Sequence, residues 1–371
     1  MARKPRAEHR PIDARADATV FKIAHLSDLH LAAEPSRPGW HQSIGFWGHV
    51  GVGLRVAASL DIESSMTSHD PKCFRALMDA LTGQNRYTSA GYDGYIVTGD
   101  LATTGSSADM AAAAGMLRRE HGVAGGETFD APKLPNEKVV LLPGNHDRYY
   151  GRKLGPTSTE FEQQHNFGFN WSLGNPLAGD SRPDVNHKVL RAMSGAQLAV
   201  VCGDFSFLTP SVQWIKMLGR GRARQETLER MVAQTTQYQE KSIPVVWAVH
   251  FPPVKRGVQS ALRLERHEEV IRAAARCGVQ IVFCGHTHVA SPSLAGVFDD
   301  KFPAVQIVCA ASACEHVKAK SKTQRSYFEV ELEVRGKTVR LRRPPVEMIY
   351  SRWLERTAET SHRAAIFCPA P

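Results

Sequence analysis

The chain has 371 residues, of which 42% are hydrophobic and 22% are charged, and its formal net charge is +9. This composition is that of an ordinary globular protein, so it excludes a disordered chain and a fibrous repeat. The positive charge favours an anionic partner without choosing among nucleic acid, acidic lipid and small anions. No stretch approaches the roughly 20 apolar residues of a membrane span. The basic N-terminus lacks the apolar region of a secretory signal, so we expect a cytoplasmic protein.

Short apolar runs rich in Val and Ile recur from residue 21 onward and end abruptly in polar residues. Runs of this kind are typical of strands buried on both faces. The predicted strands are 21–27, 95–99, 138–144, 198–203, 243–249, 279–285 and 304–310. Helix-like segments lie at 71–81, 107–121, 226–239 and 261–277. The alternation predicts β-α-β units and a largely parallel sheet.

The C-terminal part of the chain changes pattern. Residues 326–334 and 337–344 alternate between apolar and polar around an Arg335-Gly336 turn, which predicts an antiparallel hairpin. A short amphipathic helix is expected at 347–357. The predicted organisation is a mobile basic arm, one α/β domain with two insertions, and a C-terminal helix or tail. The corresponding ranges are 1–18, 19–345 (insertions near 32–69 and 149–195) and 346–371.

The seven cysteines are scattered along the chain, and none forms a C-x-x-C pair. This spacing predicts neither a disulfide framework nor a thiolate zinc site. Several of them stand in apolar runs, where a cysteine behaves as a small buried hydrophobic residue.

Metal-capable side chains follow five of the predicted strands. The strand ends read Asp28-Leu29-His30, Gly99-Asp100, Gly144-Asn145-His146-Asp147, His250-Phe251 and Gly285-His286-Thr287-His288. In open α/β sheets, ligands bind just beyond the carboxyl ends of the strands. Each fragment alone is weak, because Asp-x-His and Gly-Asp both occur often by chance. Five such ends in order predict a metal site at one edge of the sheet.

The chemistry of these donors limits the metal. Two aspartates, one asparagine and several imidazoles, without thiolates, select divalent manganese, iron, zinc or cobalt over copper(I) or an iron–sulfur cluster. Seven donors are too many for one tetrahedral ion. They suit two ions about 3.5–4 Å apart that share a bridging carboxylate.

These motifs resemble the calcineurin-like metallophosphoesterase superfamily over roughly residues 19 to 315. The stretches IAHLSDLHL, HDPKCFRALMDAL and HFPP further resemble the bacterial class III cyclic-nucleotide phosphodiesterases. The resemblance implies a metallophosphoesterase-like fold of the α/β class: a four-layer α-β-β-α sandwich of two mixed sheets flanked by helices. It also implies that residues 19–345 form the catalytic domain, whose cofactors are two divalent ions of manganese, iron or zinc.

The resemblance assigns a role to each motif residue. Asp28, His30 and His288 would hold the first metal. Asn145, His250 and His286 would hold the second, and Asp100 would bridge the two ions. His146 would lie outside the metal shell and face the substrate, with Asp147 behind it as its partner.

The implied activity is that of a phosphodiesterase on small anionic esters such as 3′,5′-cyclic nucleotides. A hydroxide shared by the two metals would attack phosphorus in line, and His146 would protonate the leaving group. The alternatives are a nuclease, a phosphomonoesterase or a protein phosphatase on the same scaffold, and a non-catalytic interaction scaffold. The expected partner is a small phosphoester. Nucleic acid is less favoured, because about 26 residues after Pro345 are too few for a DNA-binding extension.

Overall fold

A computed structural model describes most of the predicted α/β region. The described residues are 18–31, five helical positions within 74–81, 91–103, 105, 107–118, 122–124, 127–129, 134–148, 184–206, 219–254, 258, 262–290, 305–314, 326–349 and 368–369. The predicted basic arm, the insertion near 32–69 and most of the insertion near 149–195 lie outside these ranges. Within them, no helix combines the length and the apolar content needed to cross a membrane.

The first sheet has seven strands and is mixed. They are β1 (Thr19–Leu26), β2 (Gly94–Val97), β5 (Val139–Leu141), β13 (Ser326–Arg335), β14 (Thr338–Leu341), β15 (Val346–Ile349) and β16 (Cys368–Pro369). The order is β16-β15-β13-β1-β2-β5, and β14 also pairs with β13. β1, β2 and β5 are parallel, whereas β13 runs antiparallel to β1. The carboxyl ends of β1, β2 and β5 therefore meet at one edge.

The second sheet has five strands. They are β6 (Val185–Arg191), β7 (Gln197–Gly203), β9 (Val245–Val249), β11 (Ile281–Cys284) and β12 (Gln306–Cys309). The order is β12-β11-β9-β7-β6, with β6 antiparallel and the other four strands parallel.

Helices and two small ribbons complete the described fold. The helices are α1 (Ser107–Arg118), α2 (Gln225–Glu240) and α3 (His267–Arg276). One ribbon pairs β3 (Gly122–Ala124) with β4 (Glu127–Phe129), and the other pairs β8 (Gly221–Arg222) with β10 (Leu264–Glu265). Each predicted strand from residues 21 to 310 overlaps an observed one.

The alternation of side chains along the strands places the core on both faces of the second sheet. Val200 and Val246 face the first sheet and share a hydrophobic cluster with Ile23. Their neighbours Val201 and Trp247 belong to a separate cluster with α2 and α3. Met110 and Ala113 of α1 and the helical residues of 74–81 join the cluster of the first sheet. These layers confirm the predicted α-β-β-α sandwich of two mixed sheets.

The structure corrects two predicted helices. The helix predicted at 261–277 begins only at His267, because Leu264–Glu265 pairs with β8 and Arg266 has a left-handed backbone, with φ 60°. The helix predicted at 347–357 is wrong over residues 347–349, the part that the structure describes. Residues 346–349 form β15, whose pairing with β13 outweighs the weak helical pattern.

Two further predictions change in detail. Residues 185–191, within the second predicted insertion, pair along their whole length with β7 as an edge strand of the second sheet. The sequence pattern did not predict this strand, because it lacks an apolar run. Its polar residues His187 and Lys188 are only partly buried at the edge of the sheet. The β13–β14 turn consists of Gly336 and Lys337, one position later than expected, since Arg335 still pairs with Thr338.

One buried hydrogen bond links α2 to the second sheet and offers a test of this packing. Trp247 Nε1 donates to Thr235 Oγ1 at 2.9 Å, and both residues are buried. We expect Thr235→Val to lower the free energy of unfolding by about 1–3 kcal/mol, because the indole N–H loses its acceptor. Urea unfolding measures the effect. Thr236→Val is the control, because Thr236 makes a similar bond to the helix backbone in an exposed position. Equal losses for both variants would contradict the assigned role of the indole contact.

Candidate metal centre

The structure brings all seven predicted donors together at the facing edges of the two sheets. Asp28, His30, Asp100 and Asn145 follow strands β1, β2 and β5 of the first sheet. His250, His286 and His288 follow β9 and β11 of the second. The amide of His286 donates to Asp28 Oδ2 at 2.9 Å, although 258 positions separate them in the chain.

The first group of donors is Asp28, His30 and His288. The Nε2 atoms of the two histidines lie 3.1 Å apart, and His288 Nε2 lies 3.3 Å from Asp28 Oδ1. His30 Nε2 lies 3.9 Å from the same oxygen. Two ligands of one ion at about 2.0–2.2 Å are separated by about 3–3.5 Å, so this spacing fits a common metal.

The second group is Asn145, His250 and His286. His250 Nε2 lies 2.9 Å from Asn145 Oδ1 and 3.1 Å from His286 Nδ1. Asp100 Oδ2 lies 3.3 Å from His250 Nε2 and 4.0 Å from His30 Nε2. Asp100 is thus the carboxylate that faces both groups, as its predicted bridging role requires.

Each carboxylate is held through one oxygen and offers the other to the site. Asp100 Oδ1 accepts from the amide of His146 at 2.8 Å, and Asp28 Oδ2 accepts from the amide of His286. Asp28 Oδ1 is buried and makes no hydrogen bond of good geometry with any described residue. A buried anionic oxygen that faces only imidazoles suits a bound cation, so the residues fit the implied metals.

Backbone carbonyls orient two of the imidazoles. His250 Nδ1 donates to Thr98 O at 2.7 Å, and His286 Nε2 donates to Gly219 O, also at 2.7 Å. The other ring nitrogen of each histidine is therefore the one presented to the site. Sequence reasoning missed these two acceptors, because any residue can supply a backbone carbonyl.

The backbone at the donors is unusual. Among the described residues, seven non-glycine residues have positive φ, and five of them are candidate ligands. These five are Asp28 (53°), His30 (48°), Asp100 (52°), His286 (72°) and His288 (55°). Such conformations cost about 1–3 kcal/mol each and persist where the surrounding structure enforces them, most often at functional sites.

Two glycines before donors are required by close approach. A Cβ on Gly144 would lie 2.1 Å from Asp100 Oδ1, and a Cβ on Gly285 would lie 1.7 Å from Ser27 Oγ. Glycine therefore precedes these donors for a steric reason, because no side chain fits beside the two carboxylate loops.

The charges of Asp28, Asp100 and His286 match what metal ligands need, whereas that of His250 does not. Burial raises the pKa of Asp28 and Asp100, but neighbouring His288 and His250 more than offset it and hold both below the usual range. Burial lowers the pKa of His286 to about 3, so its ring is neutral. Burial also lowers the pKa of His250, yet Asp100 raises it to about 9. His250 must lose this proton to act as a ligand.

His146 lies beside the two groups, in a short 3₁₀ turn (His146–Arg148). Its Nδ1 donates to Thr103 O at 2.9 Å, so this hydrogen bond occupies Nδ1 and not Nε2. A nitrogen of its ring lies within 4.8 Å of donor atoms of His30 and Asp100. The structure thus places His146 closer to the candidate ligands than a purely substrate-facing residue needs to be, and its role stays a prediction.

The described hydrogen bonds of Asp147 are to backbone amides, whereas its predicted partner is the ring of His146. Its carboxylate accepts from the backbone amides of Leu101 (3.2 Å), Ala102 (2.9 Å) and Gly144 (2.8 Å). Asp147 therefore ties the loop after β2 to the loop after β5. The carbonyl of Thr103 holds the ring of His146 instead.

Sequence reasoning also missed two hydroxyl groups that support the strained loops. Ser312 Oγ donates to Asp28 O at 2.8 Å, and Thr103 Oγ1 donates to His30 O at 2.5 Å. Serine and threonine are common in loops, so only the fold reveals these contacts.

Comparisons with known proteins agree with this site. The family model for calcineurin-like phosphoesterases matches residues 21–290, and the chain belongs to that family. It is a metal-dependent phosphoester hydrolase, and the described residues include clusters able to hold the metals. A dimetal phosphatase from Danio rerio is a similar solved structure, with a TM-score of 0.49 and 12% identity over 89% of this chain and 99% of that one. No curated protein matches the sequence.

The predicted bridging role of Asp100 gives a direct test of the centre. We expect Asp100→Asn to weaken the binding of both ions, because the carboxylate faces both groups of donors. Elemental analysis of the purified variant after dialysis measures the loss. Asp93→Asn is a matched control, since Asp93 precedes β2 and accepts a hydrogen bond from the Lys22 amide. Loss of a single ion with activity retained would contradict the bridging role.

Proposed function

We propose that this protein is a phosphodiesterase that acts on small anionic esters such as 3′,5′-cyclic nucleotides. The observation that carries the proposal is the convergence of seven donors in two groups around Asp100, with His146 beside them. The resemblance of IAHLSDLHL, HDPKCFRALMDAL and HFPP to class III cyclic-nucleotide phosphodiesterases supports this substrate class.

We further propose the following roles for the donors. Asp28, His30 and His288 hold one ion, Asn145, His250 and His286 hold the other, and Asp100 bridges them. Manganese, iron or zinc suits this set of oxygen and nitrogen donors. When bound, two such ions polarise the phosphoester and activate water as the nucleophile.

The charge of the protein donors suits a phosphodiester. Asp28 and Asp100 are the only anionic donors proposed, so they offset half of the charge of two divalent ions. The remaining positive charge attracts an anionic ester and stabilises the charge that develops on its oxygens. Arg148 is the nearest arginine in sequence to the donors after β5. Its guanidinium donates to Asp204, so it is not directed at the second negative charge that a phosphomonoester would carry.

His146 is proposed as the general acid. Thr103 O holds its Nδ1–H, so Nε2 is the atom that carries a proton to the leaving oxygen as the phosphorus–oxygen bond breaks. The ring is nearly buried in the described structure, with 7% exposure, so the proton is shielded from bulk water.

A substrate panel tests the proposed activity. We expect the purified protein with manganese to hydrolyse cyclic nucleotides and bis(p-nitrophenyl) phosphate faster than p-nitrophenyl phosphate or single-stranded DNA. The measured quantity is kcat/KM for each substrate. A preference for the monoester would support a phosphomonoesterase, and a preference for DNA would support a nuclease. No hydrolysis by metal-loaded protein would support the non-catalytic scaffold.

The leaving group tests the role of His146. We expect His146→Ala to retain both ions and to lose about 10²–10⁴-fold in rate on ribosyl and alkyl esters, which need a proton on the leaving oxygen. A p-nitrophenyl ester should lose far less, because its phenolate leaves unprotonated. Steady-state rates over a series of esters, with metal content measured in parallel, provide the comparison. Equal losses for good and poor leaving groups would remove the general-acid role.

A further inference from the structure

Asp204 follows Gly203, the last residue of β7, and so repeats the Gly-Asp sequence found after β2, yet Asp204 is not among the candidate metal donors. Its Oδ2 instead accepts from Arg148 Nε at 3.0 Å and Arg148 Nη2 at 2.7 Å. Arg148 is fully buried, and Asp204 is 3% exposed. The result is a buried ion pair at the same sheet edge as the metal centre.

The pair connects the two sheets through the turn that carries His146. Arg148 is the last residue of this turn, and its amide donates to Asn145 O at 3.2 Å. The turn follows β5 of the first sheet, whereas Asp204 directly follows β7 of the second. The side chains of Arg148 and Asp204 thus fix the position of the turn relative to the opposite sheet.

Asp204 is itself firmly held. Its Oδ1 accepts from the amide of Ser206 at 2.9 Å and also from the Ser206 hydroxyl. Its own amide donates to Asp184 O at 2.8 Å. The carboxylate of Asp204 therefore has little freedom to move, so it holds the guanidinium of Arg148 in one position.

The energetics also point to a specific role. Burying two charges costs hydration that their mutual attraction often only balances, so such a pair is weak evidence for stability alone. Catalysis, by contrast, depends on geometry, and a displacement of about 1 Å can cost about 10²-fold in rate. We propose that Arg148 and Asp204 are positioning residues that hold His146 in line with the leaving oxygen. This inference rests on the proposed general-acid role of His146.

Three variants test the proposal: Arg148→Met, Asp204→Asn and the double variant. The double variant matters because either single change leaves a buried group without its partner and can prevent folding. Asp184→Asn is the matched control, since this buried carboxylate, directly before β6 of the second sheet, accepts from Arg224 and Thr227 at the start of α2. For each protein, the measurements are metal content, thermal unfolding, and kcat and KM on alkyl and p-nitrophenyl esters.

For the folded variants we expect kcat on alkyl esters to fall about 10–10²-fold, with little change on the p-nitrophenyl ester and both ions retained. The control should lose stability without any dependence on the leaving group. A folded double variant with full activity on alkyl esters would overturn the proposal, and so would equal losses on both ester types. If His146→Ala shows no leaving-group dependence, the general-acid role itself fails. If His146→Ala shows the leaving-group dependence and the Arg148 and Asp204 variants do not, only the positioning role is wrong.

Discussion

Two buried carboxylates, Asp28 and Asp100, determine how the rest of the site is built. Charges removed from water are costly unless they are paired and hydrogen-bonded. Each carboxylate meets this requirement by accepting a backbone amide with one oxygen and facing imidazoles with the other. Because the amides belong to His146 and His286, the loops that supply further donors are themselves fixed by the carboxylates.

The surrounding fold provides the stability that such loops need. Five left-handed donors at about 1–3 kcal/mol each amount to a considerable conformational cost. The strands before them, β1, β2 and β11, are buried on both faces or nearly so, and side chains from both sheets share one cluster. Because these strands are rigid, the loops cannot adopt a less strained backbone conformation. The hydrogen bonds of Ser312 and Asp147 hold the loops further.

The sequence predicted the strands, and the side chains that meet where the strands end, because both depend on local pattern. A buried parallel strand requires a run of apolar residues. Glycine is required at 144 and 285 because a Cβ there would lie too close to a carboxylate oxygen. The sequence could not predict the partners of Asp147 or Asp204, because these depend on which loops meet in space. Asp204 carried a usable signal, since Gly203-Asp204 repeats the Gly-Asp sequence found after β2, but the pattern alone does not distinguish an arginine partner from a metal.

The distribution of donors over the two sheets links metal binding to folding. In each proposed group, at least one donor comes from the first sheet and at least one from the second: Asp28 with His288, and Asn145 with His250. An ion held by such a group joins the sheets, so its binding free energy adds to the stability of their packing. The Arg148–Asp204 pair spans the same two sheets without a metal. In the proposed mechanism, this pair would hold the turn of His146 to the second sheet independently of the ions.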